Sequence, residues 1–393
     1  MADRDPTSAS SVDGLSTGVD RPRVYSFWWL GTLAAIVTLS FGLNLLADGL
    51  EELVGDRVEQ LFGFATNPAL GLLIGVMTTA LVQSSSAVTS IIVGLVATGM
   101  PVATAIPMIM GANIGTTITN TLLSLGQIGD RDRFERSFAA ATVHDCFNLI
   151  CVALFLPLEI STHFLTRLSA LCADRVQAWG VVLENPAGLK LLIAPLVNIA
   201  TALTQGLPLI LHGAVWLGLG ILTVLLSIAA LAKTLTLAIE QVGQGRLFGA
   251  IGSHPLLAML TGTGITVVVQ SSSTTTSLMI PLAASRAWEL ETIYPFTLGA
   301  NIGTCATAFL AATAVTGSTS LAALQIALAH LLHNTLGILT IYGIPPLRSL
   351  PLRGARWLAR STVNPWAIAS YILGVFFLIP GLAIAASLLS TTM

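Results

Sequence analysis

Gln83-Ser84-Ser85-Ser86 recurs as Gln270-Ser271-Ser272-Ser273, and the rest of the chain can be set out from that pair. Each run lies in an apolar segment opened by a proline, at Asn67-Pro68 and at His254-Pro255. Each is followed by a knot of small residues, Gly111-Ala112-Asn113-Ile114-Gly115-Thr116 and Gly299-Ala300-Asn301-Ile302-Gly303-Thr304. A third pair closes each unit: His144 to Asn148 reads HDCFN and His330 to Asn334 reads HLLHN. The copies stay near 187 residues apart, and Leu70, Gly75, Thr79 and Val82 find the same residue type at Leu257, Gly262, Thr266 and Val269. A register held that long marks an internal duplication of one functional unit.

The medium follows from composition. Of 393 residues, 54% are hydrophobic and only 9% charged, far below the roughly 25% charge of a soluble domain, so the chain reads as a polytopic membrane protein. No charge falls between Glu59 and Asp130 or between Glu291 and Arg348. A net charge of -2 gives no electrostatic footprint for nucleic acid. Cys146, Cys151 and Cys305 sit in apolar blocks and only Cys172 in a long connection, so no disulfide framework is available.

Residues 1–24 are polar and read as a disordered tail, placed in the cytoplasm by Arg21 and Arg23 ahead of the apolar block Val24 to Leu46. Residues 48–62 alternate an apolar face with acids and read as a helix lying along the outer surface. The stretch Pro68 to Gly99 is interrupted by its polar run, which fits two half-helices of a re-entrant hairpin. A crossing from Val102 to Ser124 is interrupted by GANIGT, the turn Asp130 to Arg136 is basic, and Phe138 to Leu156 crosses again. Residues 159–206 read as an extracellular connecting loop.

The second unit runs the same plan: a crossing from Leu207 to Ala238, a hairpin from Pro255 to Ala284, and crossings from Thr292 to Ala314 and Ser320 to Tyr342. Three crossings per unit invert the second copy relative to the first. Residues 346–393 then form a basic cytoplasmic loop, with Arg348, Arg353, Arg356 and Arg360, and a last helix. The expected fold is an all-α polytopic membrane protein with two inverted-topology repeats, 25–158 and 207–345, each holding a re-entrant helical hairpin and broken helices.

A helix broken inside a membrane presents N–H groups that attract anions and carbonyls that attract cations. Serine hydroxyls can donate to an oxyanion, while Gln83, Gln270, Asn113 and Asn301 offer oxygen ligands suited to a hard cation such as Na+. No lysine or arginine lies in either polar centre. A bound anion must therefore bring its counter-charge with it, which points to cation-coupled uptake, two Na+ for one doubly charged anion. A lone serine run would be ordinary helix packing; a duplicated run with glutamine before it and GANIGT after it is more than that. His144 with Asp145 reads equally as a proton relay or as an aspartate bound to loop or helix-end groups. His330 and His333 make half of a metal site that no cysteine or acid completes, so packing is the better reading. Serine runs beside histidines lack nucleophile-elbow spacing, and the chain does not read as an enzyme.

Together these residues resemble the type II sodium-dependent phosphate cotransporters, in their compact bacterial form. The resemblance rests on both QSSS runs, QSSSAVTSIIVGLVATG, IPMIMGANIGTTITNTL, GDRDRFERSFAAATVHDCFNLICVALFLPLE and LGANIGT, and covers about residues 64–160 and 250–345. It implies inorganic phosphate as substrate, coupling to co-transported Na+, inward transport, no cofactor, and a site where the two hairpins meet. It places Gln83 to Ser86 and Gln270 to Ser273 in one substrate and sodium centre, lined by Asn113, Thr116, Asn301 and Thr304, without dividing the ligands between the two ions. Within that centre we expect phosphate at Ser84, Ser85, Ser86, Ser271, Ser272 and Ser273, and sodium at Gln83, Asn113, Thr116, Gln270, Asn301 and Thr304. Electrogenic relatives depend on an extra aspartate in the first unit, which the uncharged run from Gln60 to Gly129 does not hold. That departure implies electroneutral transport of HPO4²⁻. The absence of a loop disulfide and of N-x-S/T acceptors there implies a bacterial inner membrane. Another oxyanion such as sulfate, or a phosphate sensor on the same fold, are the alternative readings.

Overall fold

The structure is a computed structural model of the chain and describes residues 22–54, 67–179, 187–239, 254–315, 317–362 and 365–392. Of the tail expected over 1–24, residues 1–21 lie outside the described residues, as does the far half of the stretch 48–62, while residues 22–24 already belong to the first helix. Every regular element among the described residues is helical.

In chain order, α1 is Pro22–Val54, α2 Pro68–Val82, α3 Ser85–Ala97, α4 Val102–Gly115 and α5 Ile118–Ser124. Then follow α6 Arg131–Thr162, α7 Phe164–Ala178, α8 Ala187–Thr204 and α9 Leu209–Ile239. The second half holds α10 Pro255–Val269, α11 Ser272–Ser277, α12 Met279–Ala284 and α13 Leu290–Ala314. It closes with α14 Ser320–Gly337, continued by a π-helical turn, α15 Pro345–Ser361, α16 Pro365–Leu373 and α17 Ile379–Thr392. Seven segments among the described residues are long and apolar enough to cross a membrane: Leu30–Leu50, Val102–Gln127, Arg131–Thr162, Leu209–Ala230, Leu290–Ala314, Ser320–Tyr342 and Trp366–Ser387. The chain is an all-α polytopic membrane protein.

The two hairpins are built by the same local chemistry. Pro68 and Pro255 open α2 and α10 at a position where a missing N–H costs nothing, with Asn67 and His254 as side-chain caps. Both helices stop after 15 residues, about 22 Å, short of a hydrocarbon core of about 30 Å. The stop is a glutamine in the left-handed region, Gln83 at φ 55° and Gln270 at φ 53°. Such a backbone costs a non-glycine residue about 1 kcal/mol, and the chain accepts it twice at the same motif position. Ser84 and Ser271 are then extended, and their hydroxyls cap the next helices through Ala87 N and Thr274 N.

Small residues let each hairpin lie on its neighbour. α2 crosses α4, and α10 crosses α13, with backbone against backbone. A Cβ on Gly75 would overlap the carbonyl oxygen of Met108, and one on Gly262 that of Phe296. Gly111 and Gly299 meet Leu72 and Met259 in the same way. Without a hydrophobic drive inside a membrane, this close approach is what holds helices together.

Four sequence expectations change. Residues 48–54 continue α1, whose Leu50 is buried, instead of starting a separate surface helix. The stretch expected as a loop over 159–206 is mostly helical. In α7 Leu165, Ser169 and Ala173 form a buried i, i+4, i+8 stripe, and buried Glu159 accepts from Leu165 N at 2.6 Å. The basic loop after Tyr342 is the helix α15. GANIGT interrupts the helix in the first copy only, between α4 and α5; in the second copy α13 runs straight through it.

Candidate functional site

Asn113 and Asn301, the centres of the two GANIGT knots, each bond to the histidine-to-asparagine stretch of the other copy. Asn113 Nδ2 donates to Asn334 Oδ1 at 2.7 Å, and its Oδ1 faces His330 Nε2 at 3.1 Å. Asn301 Nδ2 donates to Asn148 Oδ1 at 2.8 Å, and its Oδ1 faces His144 Nε2 at 2.9 Å. Asn148 Nδ2 then donates to Asn113 O, and Asn334 Nδ2 to Asn301 O, both at 3.0 Å. Each asparagine uses its amide as donor, so its Oδ1 must accept and each histidine must donate from Nε2. The Nδ1 of His144 and of His330 is left without a partner. All six side chains are buried, and the two halves of the network are copies of one another that tie α4 to α14 and α13 to α6.

The serine runs sit at the starts of α3 and α11. Ser85, Ser86, Ser272 and Ser273 are buried, and Ser84 and Ser271 are partly so. Ser273 Oγ donates to Thr116 O at 3.2 Å, and Asn120 Nδ2 donates to Thr276 Oγ1 at 2.6 Å, so the second hairpin's return limb docks on the broken knot of the first copy. The return limb of the first hairpin, α3, packs against α13 in turn. Thr116 and Thr304 donate back to Ala112 O and Ala300 O.

The glutamines differ. Gln270 is buried, and its Oε1 accepts from Thr307 Oγ1 at 2.7 Å. Gln83 is exposed, and Thr119, which stands three residues after Thr116 as Thr307 stands after Thr304, has a buried hydroxyl with no partner. Around the two breaks the hydroxyls of Thr79, Ser86, Thr89, Thr119 and Thr266, with Asn120 Oδ1, are buried without partners. Orphaned buried oxygens are costly, and neutral hydroxyl and amide oxygens near helix ends have the chemistry to accept an oxyanion together with a hard cation. A cleft of about 160 Å³ is bordered by Asp132, Glu135, Arg136, Glu289, Arg356 and Arg360 among others, and includes none of the serines.

Asp145 is the buried acid of this region. Its Oδ1 accepts from Thr117, the N-cap residue just before α5, and its Oδ2 from Tyr371 OH at 2.8 Å. It is therefore bonded to a helix end and to a tyrosine of the last crossing. His333 stacks edge-on against Phe155 at 5.8 Å, and no group of three potential metal ligands occurs among the described residues. Thr307, Asn148, Asn334 and Tyr371 were not singled out from sequence as site residues. The first three were findable, since each repeats a residue type at the offset of its own motif; Tyr371 carried no signal.

A family model described as Na+/Pi-cotransporter matches residues 39–169 and 224–343. Among similar proteins, sodium-dependent phosphate transport protein 2B of Pongo abelii is 33% identical over 86% of this chain and 62% of its own length. The 2B protein of Homo sapiens gives the same figures. Sodium-dependent phosphate transport protein 2A of Mus musculus is 32% identical over 91% of this chain and 67% of its own length. The chain thus spans about three fifths of the length of the 2B relatives. No solved structure matches. With the duplicated QSSS and GANIGT motifs inside both matched stretches, the chain belongs to the Na+/Pi-cotransporter family.

Proposed function

We propose that the chain imports inorganic phosphate together with Na+, by exposing one site alternately to the two sides of the membrane. The observation that supports this is the unequal state of two equal units. In one copy the hairpin tip is docked, Gln270 on Thr307, and the knot helix is continuous. In the other Gln83 is free, Thr119 has no partner, and the helix is broken at Thr116 and Thr117, with the Thr117 hydroxyl held by Asp145. Two inverted repeats, 25–158 and 207–345, that exchanged these states would move the opening from one face to the other. The names of the 2A and 2B relatives supply the ions.

In this reading Ser84, Ser85, Ser86, Ser271, Ser272 and Ser273 hold phosphate through hydroxyls and the freed amides at the starts of α3 and α11. Gln83, Gln270, Thr116 and Thr304 offer oxygens to Na+. Asn113 and Asn301 join that set only through lone pairs that the histidines leave unused, and their larger role is to lock the two units together. The coupled set is HPO4²⁻ with two Na+, which moves no net charge. Asp145 favours a second reading, because a buried carboxylate with only hydroxyl partners calls for a third cation. The membrane is a bacterial inner membrane with the N-terminus in the cytoplasm.

Labelled phosphate uptake into proteoliposomes, with Na+ replaced by K+ and with sulfate as competitor, tests the proposal. Uptake that persists in K+, or that sulfate blocks as well as phosphate does, overturns it. Gln83→Ala and Gln270→Ala should abolish uptake in protein that still folds. At a fixed voltage, the two-sodium set gives no phosphate-evoked current; a current lost in Asp145→Asn establishes the third cation.

A further inference from the structure

The helix α15 joins the crossing that ends at Tyr342 to the one that begins at Trp366. It is too polar to cross and about 25 Å long, so it lies along one face of the membrane. One side is buried: Pro351, Leu352, Ala355 and Ala359 face inward, and Gly354 lies against Cys146 of α6. The other side presents Leu350, Arg353, Trp357 and Arg360 at i, i+3, i+7 and i+10, a single stripe. Trp357 is 68% exposed, and Trp366, at the start of the next crossing, 82%.

The four arginines divide by role. Arg348 donates to Tyr342 O at 2.7 Å and stacks on that ring at 4.5 Å, and Arg356 pairs with Glu291 at 2.5 Å. Arg353 and Arg360 are exposed and make no hydrogen bond or ion pair among the described residues. Arg360 borders the cleft that also holds Glu135 and Glu289, yet pairs with neither. Two free guanidinium groups about 10 Å apart along the axis, with an indole between them at the level of a membrane face, complement a layer of phosphodiesters above acyl chains.

We propose that the exposed stripe of α15 docks anionic phospholipid headgroups, Arg353 and Arg360 taking the phosphodiester and Trp357 with Leu350 resting at the glycerol and acyl boundary. The site stands apart from the QSSS centre and does not depend on what the protein transports. The test titrates the purified full chain with short-chain phosphatidylglycerol and, separately, phosphatidylcholine, following lipid retention by native mass spectrometry and the melting temperature. Phosphatidylglycerol should be retained and should raise the melting temperature, and phosphatidylcholine should do neither. Arg353→Gln with Arg360→Gln should weaken retention about 25-fold, roughly fivefold per arginine, with the lipid-free melting temperature unchanged. Trp357→Ala should weaken it as well. Equal binding of both lipids, unchanged retention in the double variant, or displacement of the lipid by millimolar inorganic phosphate would each overturn the proposal, the last assigning the arginines to free phosphate.

Discussion

Thr307 Oγ1 donates to Gln270 Oε1 across 2.7 Å, while Thr119, its counterpart in the first copy, has a buried hydroxyl with no partner and Gln83 stands exposed. A docked tip beside a continuous knot helix in the second unit thus stands against a free tip beside a broken knot helix in the first, although the two share their QSSS and GANIGT motifs. If transport requires each unit to pass through both states, the two threonines matter equally. Thr307→Val and Thr119→Val should each lower sodium-dependent phosphate uptake at least tenfold, and the serine variants should restore most of it. Full uptake by Thr119→Val would show that the first unit never docks as the second does.

The crossed asparagine network predicts stability effects distinct from transport effects. Asn301→Ala strands His144, Asn148 and their partners in a buried site, at a cost of about 3 kcal/mol. Asn113→Ala should cost a similar amount, because its bonds are the same. Melting in detergent should show both variants well below the parent protein, and within about 1 kcal/mol of each other.

Close backbone crossing makes a sharper contrast within one helix. A Cβ at Gly262 overlaps the Phe296 carbonyl, whereas one at Gly264, two residues along α10, meets nothing within 4 Å. Gly262→Ala should destabilise by about 2 kcal/mol or more through overpacking. Gly264→Ala should be neutral or mildly stabilising, since alanine is the better helix former. The yield of monodisperse protein and its melting temperature check both.

Glu159 is buried at the junction of α6 and α7, where it accepts from Leu165 N and from Thr166 Oγ1 at 2.5 Å. Glu159→Ala removes the cap of α7 and should cost about 2 kcal/mol. Glu159→Gln keeps an acceptor and should cost less. Proteolysis between α6 and α8 should follow the same order.

The sequence alone determined the membrane class, the duplicated motifs, and the breaks at the two QSSS runs, though not that GANIGT would interrupt its helix in one copy only. Those features are written in local chemistry: charge-free runs set the medium, Asn-Pro and His-Pro start the hairpins, and a polar Gln-Ser step stops them. Seven crossings were countable for the same reason, because length and apolarity suffice. The helices over 164–178 and 345–361 were not legible as helices because charged residues interrupt their apolar pattern and their buried faces amount to a few residues each; only packing on α14 and α6 reveals them. The tertiary structure alone decided which partner each motif has. Asn113 finds His330 and Asn334 from the other copy, 217 and 221 residues away, and Asp145 finds Tyr371 from the last crossing. No local pattern encodes such pairings, since a hydrogen bond between helices depends on how their backbones cross. The inequality of the two units belongs there too: their motifs match, and the different neighbours of Thr117 and Cys305 set them apart.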